Sequence, residues 1–120
     1  MKKILVVDDD KFMRELLIAK FNQLGYAVSS ADDGMQAIQF LKNEKPDLIL
    51  LDIMLPGLSG LELLNLMSVE YETRKIPVII ISKMGEERII ETARQLGAED
   101  YLVKPFTPEE LIEKISAALN

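Results

Sequence analysis

The chain has 120 residues, the usual size of one domain, and we expect residues 1–120 to form a single domain without an output domain. It contains neither cysteine nor histidine, which excludes disulfides, thiolate or imidazole metal sites and the commonest general base. The formal net charge of −6 disfavours direct nucleic-acid binding. Since no apolar stretch approaches the ~20 residues that span a bilayer, we expect a cytoplasmic protein that binds no membrane.

Five short apolar segments alternate with segments of helical periodicity along the whole chain. The predicted strands are Lys3 to Val7, Ala27 to Ala31, Pro46 to Leu51, Ile76 to Ile81 and Asp100 to Val103. Consecutive parallel strands need a crossover, and here each crossover has a helical pattern. The alternation therefore predicts a three-layer α/β fold, (βα)5, with a parallel five-stranded sheet and helices on both faces.

The composition of the strands indicates their order in the sheet. The first, third and fourth contain uninterrupted apolar runs, Ile4–Val7, Leu48–Leu51 and Val78–Ile81, which are typical of strands covered on both faces. The second is more polar and the fifth is short, as expected at sheet edges. We therefore predict the flavodoxin-like order 2-1-3-4-5.

Helix boundaries are marked by glycine and by capping residues. Gly25 and Gly97 each follow a leucine and precede a predicted strand, which is typical of a helix C-terminus. Ser59 with Glu62, and Thr107–Glu110 with its proline, have the spacing of N-terminal capping boxes.

Polar side chains follow four of the five predicted strands. Asp8 and Asp9 follow the first, Asp52 the third, Ser82 the fourth and Lys104 the fifth. In an open parallel sheet ligands bind at the carboxyl ends of the strands, and these four strands are neighbours in the predicted order. We therefore expect the five side chains to converge.

Such an acidic cluster favours a metal ion. Two carboxylates about 4 Å apart repel by roughly 4 kcal/mol at an effective dielectric near 20, so the cluster does not serve stability. Oxygen donors without histidine or cysteine predict Mg²⁺, with Mn²⁺ as the alternative. The Lys104 ammonium and the Ser82 hydroxyl are suited to hold the oxygens of a phosphoryl group.

Over essentially its whole length, the chain resembles the receiver domain of two-component response regulators, the CheY-like domains. The matching segments are Leu5–Asp9, Pro46–Asp52, Leu55–Gly57 with Gly60, Ile76–Ser82, Leu96–Ala98 and Lys104–Phe106. The resemblance implies that Asp52 is the phosphoacceptor. It also implies that Asp9, Asp52 and the Met54 main-chain carbonyl bind Mg²⁺ directly, that Asp8 acts on the metal through water, and that Lys104 binds phosphoryl oxygens.

The resemblance further implies a conformational switch and two kinds of partner. Ser82 would turn toward the phosphoryl group, Tyr101 would rotate into the vacated space, and the surface of helix 4, strand 5 and helix 5 would change. The phosphodonor would be a sensor histidine kinase or a histidine phosphotransfer protein. The changed surface would bind an output protein or a second copy. The Lys104–Pro105 peptide is expected to be cis.

Lys83 departs from the family pattern, in which this position is usually small. A long cation beside the phosphoryl group is expected to hinder the attacking water, so we predict that Lys83 slows hydrolysis.

Three other functions compete with this interpretation. Asp8-Asp9-Asp10 also fits the D-x-D pattern of haloacid dehalogenase-type aspartyl phosphatases, although the expected hydroxylated residues are missing. A flavin or nucleotide module would need a glycine- or hydroxyl-rich phosphate loop in place of the acids. A pseudo-receiver would act through protein contacts alone, without phosphorylation.

Overall fold

The computed structural model describes residues 1–120, in which strands and helices alternate strictly. The strands are β1 (Lys3–Val7), β2 (Ala27–Ala31), β3 (Leu48–Leu51), β4 (Val78–Ser82) and β5 (Asp100–Val103). The helices are α1 (Lys11–Gln23), α2 (Gly34–Asn43), α3 (Gly60–Val69), α4 (Glu87–Gln95) and α5 (Pro108–Leu119). None of these helices has the length and apolar composition needed to cross a bilayer.

The strands form one parallel sheet in the order β2-β1-β3-β4-β5, which confirms the predicted topology. Val7, the last residue of β1, pairs with Ala31 on one side and Leu51 on the other. Since all strands run the same way, the loops that leave β1, β3, β4 and β5 lie along one edge of the sheet.

Alternate residues of the central strands supply two apolar cores. Leu5 and Val7 face a cluster covered by α2, α3 and α4. Ile4 and Val6 face a second cluster covered by α1 and α5. Each of these four side chains is at most 1% exposed, which explains why β1 is apolar at consecutive positions.

Two strands begin later than predicted. β3 starts at Leu48 rather than Pro46, and β4 runs from Val78 to Ser82 rather than from Ile76 to Ile81. Pro46 and Pro77 have no N–H group to donate to a neighbouring strand. Ser82 pairs with Val103 of β5, so it is the last residue of its strand rather than the first of the following loop.

The predicted helix boundaries are confirmed by their hydrogen bonds. Ser59 and Thr107 form complete capping boxes at the starts of α3 and α5. Gly25 and Gly97 have φ angles of 91° and 104°, in a region of backbone conformation that residues other than glycine rarely adopt. Asp10 accepts hydrogen bonds from two amides of the first turn of α1, and thereby determines where the loop after β1 ends.

Candidate functional site

Three carboxylates meet where β1 and β3 end. Asp8 and Asp9 follow β1, Asp52 follows the adjacent β3, and one carboxylate oxygen from each lies within 4.8 Å of the others. Asp8 is fully buried and Asp52 is 6% exposed, whereas Asp9 is exposed. The cluster therefore has two acids held inside the protein and one at the surface.

Lys104 brings a positive charge from β5 into this cluster. Its Nζ atom lies 2.8 Å from Asp8 Oδ2 and 2.9 Å from Asp52 Oδ2. Burial lowers the pKa of Lys104, but the hydrogen bonds to Asp8 and Asp52 and the charges of these acids outweigh it, so the pKa is raised above its ordinary value. The peptide from Lys104 to Pro105 is cis, as predicted.

Main-chain amides orient the two buried acids. Asp8 Oδ1 accepts a hydrogen bond from the Asp10 amide over 3.0 Å, and Asp52 Oδ1 accepts one from the Met54 amide over 2.9 Å. In each acid, one carboxylate oxygen thus accepts a hydrogen bond from an amide of its own loop, and the other accepts one from Lys104. These bonds remove side-chain freedom before any ligand binds.

Gly60, the first residue of α3, allows the chain to pass close behind Asp52. A Cβ atom at this position would lie 2.2 Å from the Asp52 carbonyl oxygen and 2.7 Å from the Ile53 Cα. The Gly60 amide also donates to the Ile53 carbonyl over 2.9 Å. Glycine is therefore required here for the segment that carries Asp52 to keep its position.

The donor set fits a hard divalent cation. It consists of carboxylate oxygens only, the ligand type that Mg²⁺ prefers in proteins. With three ionised acids and one ammonium group, the cluster has two uncompensated negative charges, which match a divalent ion. The roles predicted for Asp8, Asp9, Asp52 and the Met54 carbonyl stay predictions at this point.

Ser82 and Tyr101 both hydrogen-bond the main chain of Met84. The fully buried Ser82 accepts from the Met84 amide through Oγ over 3.2 Å. The half-buried Tyr101 donates its hydroxyl proton to the Met84 carbonyl. Burial raises the pKa of Tyr101, the nearby Ser82 hydroxyl opposes the shift, and the charges of Glu86 and Asp52 add to it. The loop after β4 thus connects the two predicted switch residues.

The structure also reveals a residue that the sequence reasoning missed. Arg14 Nη1 donates to the Asp8 main-chain carbonyl over 2.8 Å. A cation in the first turn of a helix opposes the helix dipole, which makes Arg14 unusual in the sequence, but the sequence does not identify the Asp8 carbonyl as its acceptor. Lys83 is exposed directly after Ser82, and its predicted effect on access to the site stays a prediction.

Known proteins share this fold and this sequence pattern. Among solved structures, chemotaxis protein CheY4 of Vibrio cholerae has a TM-score of 0.93 at 27% identity, with 99% of both chains covered. The receiver domain of the Francisella response regulator 1452 has a TM-score of 0.91 at 32% identity, over 99% of this chain and 97% of that one.

Longer regulators contain a closely similar segment. The phosphate regulon transcriptional regulatory protein PhoB of Klebsiella pneumoniae is 42% identical over 119 residues, which are 99% of this chain and 52% of that protein. The alkaline phosphatase synthesis transcriptional regulatory protein PhoP of Bacillus subtilis is 39% identical, over 99% of this chain and 49% of its own length. The chain thus spans about half the length of these relatives.

The response regulator receiver domain model matches residues 4–116, and the chain belongs to this family. It is a receiver domain of the two-component type. Family membership favours this interpretation over the dehalogenase-type phosphatase and the flavin or nucleotide module. The pseudo-receiver remains as the alternative that an experiment must test.

Proposed function

We propose that residues 1–120 form one receiver unit that accepts a phosphoryl group on Asp52 with the help of a divalent cation. The observation that carries this proposal is the Lys104 ammonium shared between Asp8 and Asp52, with the Asp9 carboxylate in the same cluster. A cation and acidic metal ligands on either side of one carboxylate can hold a phosphoryl group between them.

Asp52 is the nucleophile in this mechanism. One of its oxygens attacks the phosphorus of a phosphohistidine on a sensor histidine kinase or a histidine phosphotransfer protein. A P–O bond forms, the P–N bond breaks, and the imidazole nitrogen keeps the electron pair. As the Asp52 oxygen is used, Lys104 transfers its hydrogen bond to a phosphoryl oxygen.

A bound Mg²⁺ or Mn²⁺ ion would neutralise charge on the phosphoryl oxygens during transfer. Asp9, Asp52 and the Met54 carbonyl would hold it directly, and Asp8 would hold it through water. In the later hydrolysis, water attacks phosphorus, the P–O bond to Asp52 breaks with its electron pair staying on the carboxylate, and inorganic phosphate and a proton are released. The domain thus catalyses its own phosphorylation and dephosphorylation and is not a conventional multiple-turnover enzyme.

The hydrogen bonds on Met84 suggest how the site communicates with the surface. When Ser82 turns its hydroxyl to the phosphoryl group, the Met84 amide loses its acceptor and the loop after β4 can move. Tyr101, which is bonded to the same residue, then changes position and alters the α4–β5–α5 surface. Full reversal of a 99-to-1 equilibrium needs about 5.5 kcal/mol, which a few charge-assisted hydrogen bonds can supply.

The changed surface would bind an output protein or a second copy of the domain. The curated relatives are named as transcriptional regulatory proteins, so gene regulation is the output that we propose. The domain itself has a net charge of −6 and would not bind DNA directly. We place its action in the cytoplasm, where its kinase partner presents phosphohistidine.

Intact-mass spectrometry after incubation with acetyl phosphate and Mg²⁺ tests the assignment. The parent protein should gain the mass of one phosphoryl group, and Asp52→Asn should gain none. Asp10→Asn is the matched control, because it neutralises a neighbouring exposed acid while asparagine remains a good N-cap. An unmodified parent protein would favour the pseudo-receiver, and a phosphorylated Asp52→Asn variant would show that another residue is the acceptor.

A further inference from the structure

The charged side chain of Arg14 bonds a main-chain carbonyl beside the acidic cluster. Arg14 ends the first turn of α1, and its guanidinium donates to the Asp8 main-chain carbonyl in a partly buried hydrogen bond of 2.8 Å. The guanidinium makes this bond rather than an ion pair with any acid of the cluster, since Lys104 alone pairs with Asp8 and Asp52. A charged donor gives a stronger hydrogen bond than a neutral one.

This bond acts on the position of Asp9. The Asp8 carbonyl belongs to the peptide group that joins Asp8 to Asp9, so a bond that fixes this group limits the backbone positions from which Asp9 can present its side chain. The Asp8 side chain has its own partners, the Asp10 amide and Lys104. The Asp10 amide belongs to the peptide group that follows Asp9, so this contact holds the Asp9 backbone on one side, and the Arg14 bond holds the peptide group on the other side. Neither contact involves the Asp9 side chain, which is the exposed acid of the three.

Electrostatic repulsion within the acidic cluster gives the bond from Arg14 to the Asp8 carbonyl a role. Without a cation, the Asp9 carboxylate is repelled by Asp8 and Asp52, whose oxygens lie within 4.8 Å of its own. A loop free to move would relieve this repulsion by turning Asp9 into solvent, where it could no longer share a ligand with the other two. The bond from Arg14 opposes that movement.

We propose that Arg14 is a positioning residue for the divalent-cation site, which keeps Asp9 beside Asp8 and Asp52 through the Asp8 carbonyl. This inference rests on the proposed metal-dependent function. It assigns to Arg14 no contact with the metal or the phosphoryl group. Mutation of groups that orient metal ligands typically weakens metal binding about 10- to 100-fold.

Whether metal binding becomes stronger or weaker when Arg14 is replaced distinguishes a positioning role from a purely electrostatic one. Loss of a positive charge near an acidic site should strengthen cation binding if charge alone matters. Loss of the positioning contact should weaken it. Lys11→Met is the matched control, because Lys11 lies in the same helical turn, is 78% exposed and has only a 4.0 Å ion pair with Glu15.

The experiment is a titration of the full chain with Mn²⁺, followed by electron paramagnetic resonance of the free ion. We expect Arg14→Met to bind Mn²⁺ about tenfold more weakly than the parent, at the low end of the losses typical for groups that orient ligands. Lys11→Met should bind as tightly as the parent or more tightly. Arg14→Lys, which keeps one charged donor, should recover part of the affinity.

A second measurement needs no metal. In the metal-free protein, ¹⁵N relaxation should show greater mobility of the Asp9 amide in Arg14→Met than in Lys11→Met. If Arg14→Met does not fold, Arg14→Ala also removes the donor and serves for the same measurements. Mn²⁺ affinity of folded Arg14→Met, or of Arg14→Ala in its place, equal to or above that of the parent would overturn this inference but not the proposed function. Absence of saturable Mn²⁺ binding in the parent would overturn the proposed metal site as well.

Discussion

The Lys104 ammonium nitrogen lies 2.9 Å from Asp52 Oδ2, although 52 residues separate the two in sequence. The lysine follows the edge strand β5 and the aspartate follows β3, so the side chain of Lys104 passes the end of β4 to reach its partner. The contact compensates part of the negative charge of the cluster. Its loss is therefore expected to affect both stability and phosphoryl transfer.

Stability should fall in alkaline solution as Lys104 loses its proton. The folded-state pKa of Lys104 is raised above the ordinary 10.5. The stabilisation is therefore fully present below pH 10.5 and is lost as the pH rises through the higher folded-state value. The pKa of Tyr101 is raised above 10.0, so deprotonation of its hydroxyl also lowers the free energy of unfolding as the pH rises.

Urea denaturation at a series of pH values from about 8 to 11.5 checks this expectation. The free energy of unfolding of Lys104→Met should be lower than that of the parent at pH 8 and should depend less steeply on pH in the alkaline range. Tyr101→Phe serves as the comparison, because it removes the other group whose pKa is raised. Equal alkaline slopes for the parent and Lys104→Met would contradict the assignment.

Asp9→Asn should change stability and metal binding in opposite directions. Without metal, removal of the charge of this exposed acid relieves its repulsion from Asp8 and Asp52, by about 1 kcal/mol if water screens the pair at this distance. The same change removes a proposed metal ligand, so Mg²⁺ should stabilise the variant much less than the parent. Thermal denaturation with and without Mg²⁺ measures both effects. A variant that is less stable than the parent without metal would refute the repulsion argument.

Lys83→Ala should shorten the lifetime of the phosphorylated protein. Lys83 is exposed directly after Ser82, and the removal of its long side chain opens a path for water toward Asp52. The decay of the phosphorylated species, followed by intact-mass spectrometry after the phosphodonor is removed, measures the rate. Lys75→Ala is a control for the loss of an exposed lysine elsewhere. If phosphorylated Lys83→Ala decays no faster than the parent, Lys83 does not restrict access.

Gly60→Ala should destabilise the protein through the segment that carries Asp52. The added methyl group would meet the Asp52 carbonyl oxygen at 2.2 Å, and such overpacking typically costs about 1–3 kcal/mol. Gly85→Ala is the matched control, because its nearest contact would be a Val103 methyl group at 3.3 Å. Urea denaturation compares the two variants. Similar losses at both positions would mean that the close approach behind Asp52 is not the cause.

The fold could be predicted well because local patterns determine it. Alternating apolar and amphipathic segments indicated the parallel sheet, and the polarity of β2 and the shortness of β5 indicated the edges. The predictions differ from the structure at the starts of β3 and β4 and at the end of β4. Neither Pro46 nor Pro77 can donate a ladder hydrogen bond, and β3 and β4 begin after them.

The sequence by itself determined which chemical groups reach the carboxyl edge of the sheet, because residue order and strand order together place Asp8, Asp52 and Lys104 there. Only the tertiary structure decided which atoms they contact. That the Tyr101 hydroxyl bonds the Met84 carbonyl, and that Arg14 bonds the Asp8 carbonyl, depends on how helices and loops pack over the sheet. Hydrogen bonds need partners placed to within a few tenths of an ångström. Sequence patterns specify a face or an edge, and packing specifies the distance.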